Sequence, residues 1–284
     1  MIPLPFQYDR AATLDEAVAK LAAANGRAKL LAGGHSLVPL MKLRMAEPAL
    51  LIDIARIAGL SGIREKGGRI EIGAGTVHHD VASSPLLRQQ CPVVADAAAT
   101  IGDPQVRNRG TLGGSLAHAD PAADYPAAML AVDAELHIKG PNGWRTVKAS
   151  QFFQDLFTVD LAADEIIAGV QFAPVRASAY CKLFQRASHF AIVGVAAALE
   201  VSDGKVQSAR IGVTGAGPCA VRLASVEQAL AGQPATRDAI AIAAKDAGAD
   251  LQVVSSDLHA SEDYRRAMIP IFTKRALEAA VARL

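Results

Sequence analysis

Apolar positions recur along the chain with a helical period in some stretches and strict alternation in others. Leu14, Ala17, Val18, Leu21 and Ala22 form a helical stripe behind Thr13-Leu14-Asp15-Glu16. That start is a capping box, with Thr13 on the first turn and Glu16 reaching back. Asn25-Gly26 ends the helix. Lys29-Leu30-Leu31 and Leu50 to Ile54 read as strands, and Arg69 to Gly73 alternates as a third. Leu37 to Met45 is mixed, with a helical turn beginning at Met41-Lys42-Leu43-Arg44. Thr76 is the expected cap of a helix carrying His78, His79 and Asp80; Pro85 and Pro92 interrupt that region and Val93 to Ala99 resumes it. Asp124 is expected to cap a short helix through Leu130. Glu135 to Ile138 and Trp144 to Val147, joined by Pro141-Asn142-Gly143, predict a hairpin, and Glu165 to Phe172 a further strand.

Beyond Pro174 the pattern changes. Ala179 to Gln185 is strand-like. Val195 to Val201, Asp203-Gly204 and Val206 to Val213 predict a hairpin with a favoured tight turn. Helices follow at Ala224 to Leu230, Arg237 to Ala247 and Tyr264 to Ala282. The expected organisation is α+β throughout: a domain over residues 1–174, divided near 55–60, and a smaller one over 175–284.

One long stretch, Thr100 to Asp124, fits no period. It holds four glycines and two prolines, and it lacks the bulk a core segment needs. Gly113-Gly114 lets the backbone approach a ligand and turn to positive φ, with Thr111 and Ser115 adding hydroxyls. Upstream, Ala32-Gly33-Gly34-His35-Ser36 repeats that grammar after a short strand. Two such loops suit a phosphate or pyrophosphate group, where one alone would read as a surface turn.

Composition narrows the function. The formal charge is +1 with no basic run, which removes a nucleic-acid footprint. Cys91, Cys181 and Cys219 lie far apart and make neither a zinc spacing nor a disulfide framework; they read as reduced thiols of a cytoplasmic chain. Met1 to Phe6 has no secretory pattern, and the most apolar run, Phe190 to Leu199, is too short to span a bilayer.

Other motifs compete with plainer readings. Gly34-His35-Ser36-Leu37-Val38 resembles the front of a nucleophile elbow but closes on Val38 instead of glycine. Gly215-Ala216-Gly217-Pro218-Cys219-Ala220 fits a dinucleotide fingerprint, yet Pro218 interrupts it and no βαβ unit surrounds it. His78-His79-Asp80 and His118-x-Asp120 invite a metal, although adjacent helical histidines point about 100° apart. Arg107 and Arg109 would face one way in an extended segment, as phosphate or partner contacts or as a solvated pair.

Together, Ala32-Gly33-Gly34-His35-Ser36-Leu37 with Met41-Lys42-Leu43-Arg44, and Gly102-Asp103-x-Gln105-Val106-Arg107-Asn108-x-Gly110-Thr111-x-Gly113-Gly114-Ser115, resemble the FAD-binding medium subunit of molybdenum hydroxylases. Carbon monoxide dehydrogenase-like and xanthine dehydrogenase-like enzymes make up that family, and the likeness covers essentially the whole chain. The resemblance implies a PCMH-type (vanillyl-alcohol-oxidase-type) FAD domain followed by a smaller α+β domain of the CO dehydrogenase flavoprotein C-terminal type. It implies FAD bound non-covalently, with the pyrophosphate between Ala32, Gly33, Gly34, His35, Ser36 and Thr111, Gly113, Gly114, Ser115. It implies Asp124 on the adenosine part, Ile101 packing on the cofactor, and Ile167 and Gln185 as later flavin contacts. Two departures stand out. Ser188-His189-Phe190 replaces the family's Gly-Asp-aromatic pattern, and Gln185 stands where some relatives carry a basic residue.

The implied partners are a small subunit with two [2Fe–2S] clusters and a large molybdopterin subunit, in a heterohexamer with two copies of each chain. Substrate oxidation would occur at the partner's molybdenum cofactor, with this chain relaying electrons and supplying no catalytic acid or base. A self-sufficient flavin oxidase and a non-catalytic assembly protein of the same fold remain open at this point.

Overall fold

The computed structural model describes residues 2–284. Three parallel strands open the chain, in the order Gln7–Arg10, Leu50–Asp53, Ala28–Leu31. The capping box forms nearly as expected: Glu16 N–H donates to Thr13 Oγ1 (3.1 Å), while the Glu16 carboxylate accepts from Ala12 N–H (2.7 Å), one residue earlier than Thr13. Asn25 and Gly26 both take positive φ and turn the chain out of helix Leu14–Ala23.

A five-stranded antiparallel sheet follows, ordered Ile63–Lys66, Arg69–Gly73, Ile166–Phe172, Glu135–Gly140, Gly143–Lys148. Ile70, Ile72, Leu136, Ile138 and Val170 turn one face inward, against a helical layer that includes Pro92–Ala99 and Asp124–Ala131. Pro85 and Pro92 occupy the first turns of helices Pro85–Gln90 and Pro92–Ala99, where the missing N–H costs nothing.

The last third forms a four-stranded antiparallel sheet, Ser178–Phe184, Ala191–Ser202, Lys205–Thr214, Val221–Arg222. Asp203 and Gly204 turn its long hairpin, both at positive φ. Helices Ala224–Leu230, Arg237–Ala244 and Glu262–Val281 cover one face around a second core of Val193, Val195, Ile211, Ile269 and Leu277. Among the described residues no helix is long and apolar enough to cross a membrane.

Several expectations are corrected here. Thr76 is not a helix cap: Val77 takes that place, and the buried Thr76 hydroxyl accepts from Gly62 N–H (2.9 Å). Asp124 is the first residue of its helix, behind the cap Ala123. The segment after Ser36 is already helical over Leu37–Lys42. The glycine-rich stretch carries two short helices, Pro104–Arg107 and Leu112–His118.

Candidate cofactor site

Strand Ala28–Leu31 delivers the chain into Ala32 to Ser36. Gly34 sits at φ +74°, a left-handed conformation that favours glycine. Gly33 is small for another reason. A Cβ there would strike the Arg109 carbonyl oxygen and lie 2.7 Å from Gly110 Cα. The first loop therefore packs backbone to backbone on the segment that leads into the second. A Cβ on Gly110 would in turn lie 2.6 Å from His78 Nε2, and one on Gly113 2.5 Å from Ala74 Cβ. Glycines here let distant stretches of chain meet.

The two loops use their amides differently. In the second, Leu112 N–H donates to Thr76 O (3.0 Å), Gly113 to Ala74 O (2.8 Å), Gly114 to Thr111 Oγ1 (3.2 Å) and Ser115 to Thr111 O (3.0 Å). Gly113-Gly114 is thus the capped first turn of a helix, with its donors spent inside the protein. In the first, the N–H groups of Gly33, Gly34, His35, Ser36 and Leu37 have no acceptor among the described residues. Consecutive free donors around a left-handed residue form a nest for an anion. Free amides are thus found on the first loop and not on Gly113-Gly114; the second loop presents the Ser115 hydroxyl and a half-exposed surface free of bulk.

A second group of residues assembles around Lys182. Its ammonium donates to Thr100 O (2.8 Å) and His189 O (2.7 Å) and pairs with Asp124 (2.9 Å). Tyr180 O–H also donates to Asp124, at 2.5 Å. Burial pushes the Asp124 carboxyl up and the Lys182 ammonium down, and their mutual attraction opposes both shifts. Arg107 is not a free cation. It lies in helix Pro104–Arg107 and donates to Ile101 O (3.0 Å) and Gly102 O (2.9 Å), while the exposed Arg109 makes no such bond. His189 Nδ1 lies 2.9 Å from Gly102 O, so the turn after Gln185 is fastened to the segment beside Ile101.

Gln185 shapes that turn: its side-chain oxygen accepts from Ala187 N–H (2.7 Å), Ser188 N–H (2.6 Å) and Ser188 O–H (3.1 Å). Phe184 and Phe190 stand exposed on either side. The structure thus joins Ile101, Asp124 and the Gln185 turn through Lys182, and joins the two glycine loops through Gly33 and Gly110. Ile167 is buried in the first core opposite Ile138, beside Ala168, whose carbonyl accepts from Ala74 N–H under the second loop. His35 and Ser36 are exposed at the mouth of the first loop. Of the two adjacent histidines, His78 is buried and His79 exposed.

Lys182 was missed by the sequence reading. Its signal was a lone cation inside the otherwise uncharged strand Ser178–Phe184, two residues from Tyr180 and so on the same face.

An amide nest beside a small-residue helix turn fits a dinucleotide: the residues present accommodate its pyrophosphate without a lysine. Fold and site together define an FAD-binding flavoprotein. Residues 4–174 match the family model for the FAD binding domain in molybdopterin dehydrogenase, and residues 178–280 that for the CO dehydrogenase flavoprotein C-terminal domain. The chain is 43% identical to the carbon monoxide dehydrogenase medium chain of Hydrogenophaga pseudoflava, covering 100% of this chain and 99% of that one. It is 34% identical to the nicotine 6-hydroxylase medium subunit of Paenarthrobacter nicotinovorans, with 98% of each covered. Among solved structures, a carbon monoxide dehydrogenase of H. pseudoflava that lacks the Mo-pyranopterin moiety superposes with a TM-score of 0.95 at 44% identity, over 100% of this chain and 99% of that one. Quinoline 2-oxidoreductase from Pseudomonas putida 86 gives a TM-score of 0.91 at 30% identity, over 99% of each. The chain belongs to the FAD-binding medium subunits of the molybdenum hydroxylases.

Proposed function

We propose that the chain is the electron-passing flavoprotein of a complex with a small [2Fe–2S] subunit and a large molybdopterin subunit, taking electrons from the clusters and giving them to an external acceptor. The observation that carries this reading is the run of free amides from Gly33 to Leu37 where the two glycine segments meet. FAD, when bound, supplies the exchange between one-electron carriers and a two-electron acceptor.

This chain's own residues bind and orient. The amides of Gly33 to Leu37 take the pyrophosphate, His35 and Ser36 flank it, and Ser115 donates its hydroxyl from the opposite side. Gly113 and Gly114, capped by Thr111, keep that side free of bulk. Ile101 and Phe190 pack on the ring. Asp124, buried and held by Lys182 and Tyr180, positions the wall that faces the adenosine part. Gln185 sets the turn that carries Phe190, and Ile167 stiffens the strand behind the site. No residue of this chain acts as a catalytic acid or base. The FAD domain spans residues 1–174 and the smaller domain 175–284, in a cytoplasmic heterohexamer; the medium-chain and medium-subunit names of the relatives support the presence of small and large partner chains.

Two measurements test the proposal. Acid precipitation of the yellow protein should release flavin into the supernatant, whereas retention in the pellet would mean a covalent link. Rapid mixing of the assembled complex with its reducing substrate should bleach the flavin after the clusters. Clusters that reduce while the flavin stays oxidised would end the relay reading.

A further inference from the structure

We propose that His78 is an additional cofactor-holding residue, donating its Nε2–H to the phosphate bridge of FAD from beneath the contact between the two glycine segments. This rests on the reading that the Ala32–Ser36 loop holds the pyrophosphate.

Position comes first. His78 N–H donates to Gly110 O (2.9 Å), and Val77 bridges to Thr111, so the start of helix His78–Ser83 is stitched to the second loop. Gly33 packs against Gly110, and the imidazole Nε2 lies against Gly110 as well. The residue is only 5% exposed.

Next comes the proton. Nδ1 lies 3.2 Å from the hydroxyl of Tyr125, which is fully buried and has no other partner among the described residues. A buried hydroxyl hydrogen left without an acceptor is costly, so Tyr125 donates to Nδ1. That fixes the tautomer: the second proton sits on Nε2.

Nε2 itself has no hydrogen-bond partner among the described residues. Nor is it sealed, since the sealed, unpartnered side-chain atoms among the described residues are Arg69 Nε, Ser208 Oγ, Arg265 Nε and Thr273 Oγ1. A donor is therefore aimed out of a buried ring, beside Gly110, at the place where the loops meet. Its titratable and charged surroundings are Tyr125, His35 and Arg107. Burial, reinforced by His35 and Arg107, lowers the His78 pKa to about 4, so the ring is a neutral donor at working pH. The paired histidines thus have separate fates, His79 in solvent and His78 under the loop. A ring that only filled space under Gly110 would be replaceable by phenylalanine.

The test uses the full-length chain, with FAD titrations and phosphorus NMR of the bound cofactor. His78→Phe is expected to raise the FAD dissociation constant roughly 10- to 100-fold, the worth of a hydrogen bond to a charged group. It should shift the pyrophosphate resonances and leave the visible flavin spectrum in place. His78→Gln, which keeps a donor near Nε2, should restore affinity to within about fivefold. Tyr125→Phe, which frees the tautomer, should weaken binding severalfold and covers the case in which His78→Phe does not fold. Phosphorus resonances and affinity unchanged within about twofold in every folded variant would overturn the role of His78 alone. A wild-type chain that takes up no FAD would overturn the loop reading as well.

Discussion

Lys182 and Asp124 form an ion pair sealed between the two parts of the chain, the ammonium 2.9 Å from the carboxylate with side chains only 2% and 5% exposed. The same ammonium holds the carbonyls of Thr100 and His189. One cation from the C-terminal sheet therefore fixes three segments around the site.

Removing that cation leaves a buried charge unmatched. Lys182→Met is expected to cost roughly 3–5 kcal/mol of folding stability. Adding Asp124→Asn should recover part of it, because the unpaired charge goes too. Urea melts of the single and double variants check this; independent, additive losses would contradict the pairing.

His78 makes stability depend on pH. Its pKa is about 4 in the folded chain against an ordinary 6.5, so below 6.5 the unfolded chain binds the extra proton and the folded one resists it. Stability from this group is complete above pH 6.5 and is lost as pH falls toward 4, by about 3 kcal/mol. Carboxylates titrate in the same window, so the quantity to measure is wild type against His78→Gln. The two stability curves should converge on acidification.

Gly33→Ala puts a methyl group into backbone that cannot yield, at Arg109 and Gly110. The expected cost is about 1–3 kcal/mol, with FAD affinity falling at least tenfold as the loops part. Gly67→Ala is the control. Gly67 has φ +58° and nothing within 4 Å of a Cβ, so backbone strain of about 1–2 kcal/mol should appear without loss of affinity. Equal FAD affinities in the two variants would remove the loop contact from the binding site.

Near the C-terminus, Arg283 bonds to Asp96 (2.6 and 3.2 Å) and to Ser178 O (2.6 Å), tying the final turn to helix Pro92–Ala99. About a third of each side chain is exposed, so solvent screens the pair. Arg283→Ala should cost about 1 kcal/mol, and less in high salt. Thermal melts at two ionic strengths settle whether the clasp acts through charge.

Sequence reading reached the elements whose local chemistry agrees with their structure. Thr13 and Glu16 announce a helix start, and Asp203-Gly204 a tight hairpin. Strand Gln7–Arg10 was not seen because it is an exposed edge with no apolar alternation. Helix Leu112–His118 was hidden by two glycines, which penalise a helix interior; Thr111 was the readable sign of its start. The loops were legible as sites because small residues stand where bulk is normal. The division of labour between them was not, since it depends on the carbonyls of Thr76 and Ala74, far away in sequence.

The order of strands in the five-stranded sheet bears on how the protein is made. Strand Ile166–Phe172 lies at its centre, between Arg69–Gly73 and Glu135–Gly140, although it is synthesised after both. Ala74, whose carbonyl holds Gly113, is itself held by Ala168 O (2.9 Å). A nascent chain that ends before this strand has two open sheet edges, and Ala74 lacks the acceptor that positions it under Gly113. Long-range pairings of this kind close late. The seat of the Gly113 turn is therefore complete only once the central strand has left the ribosome.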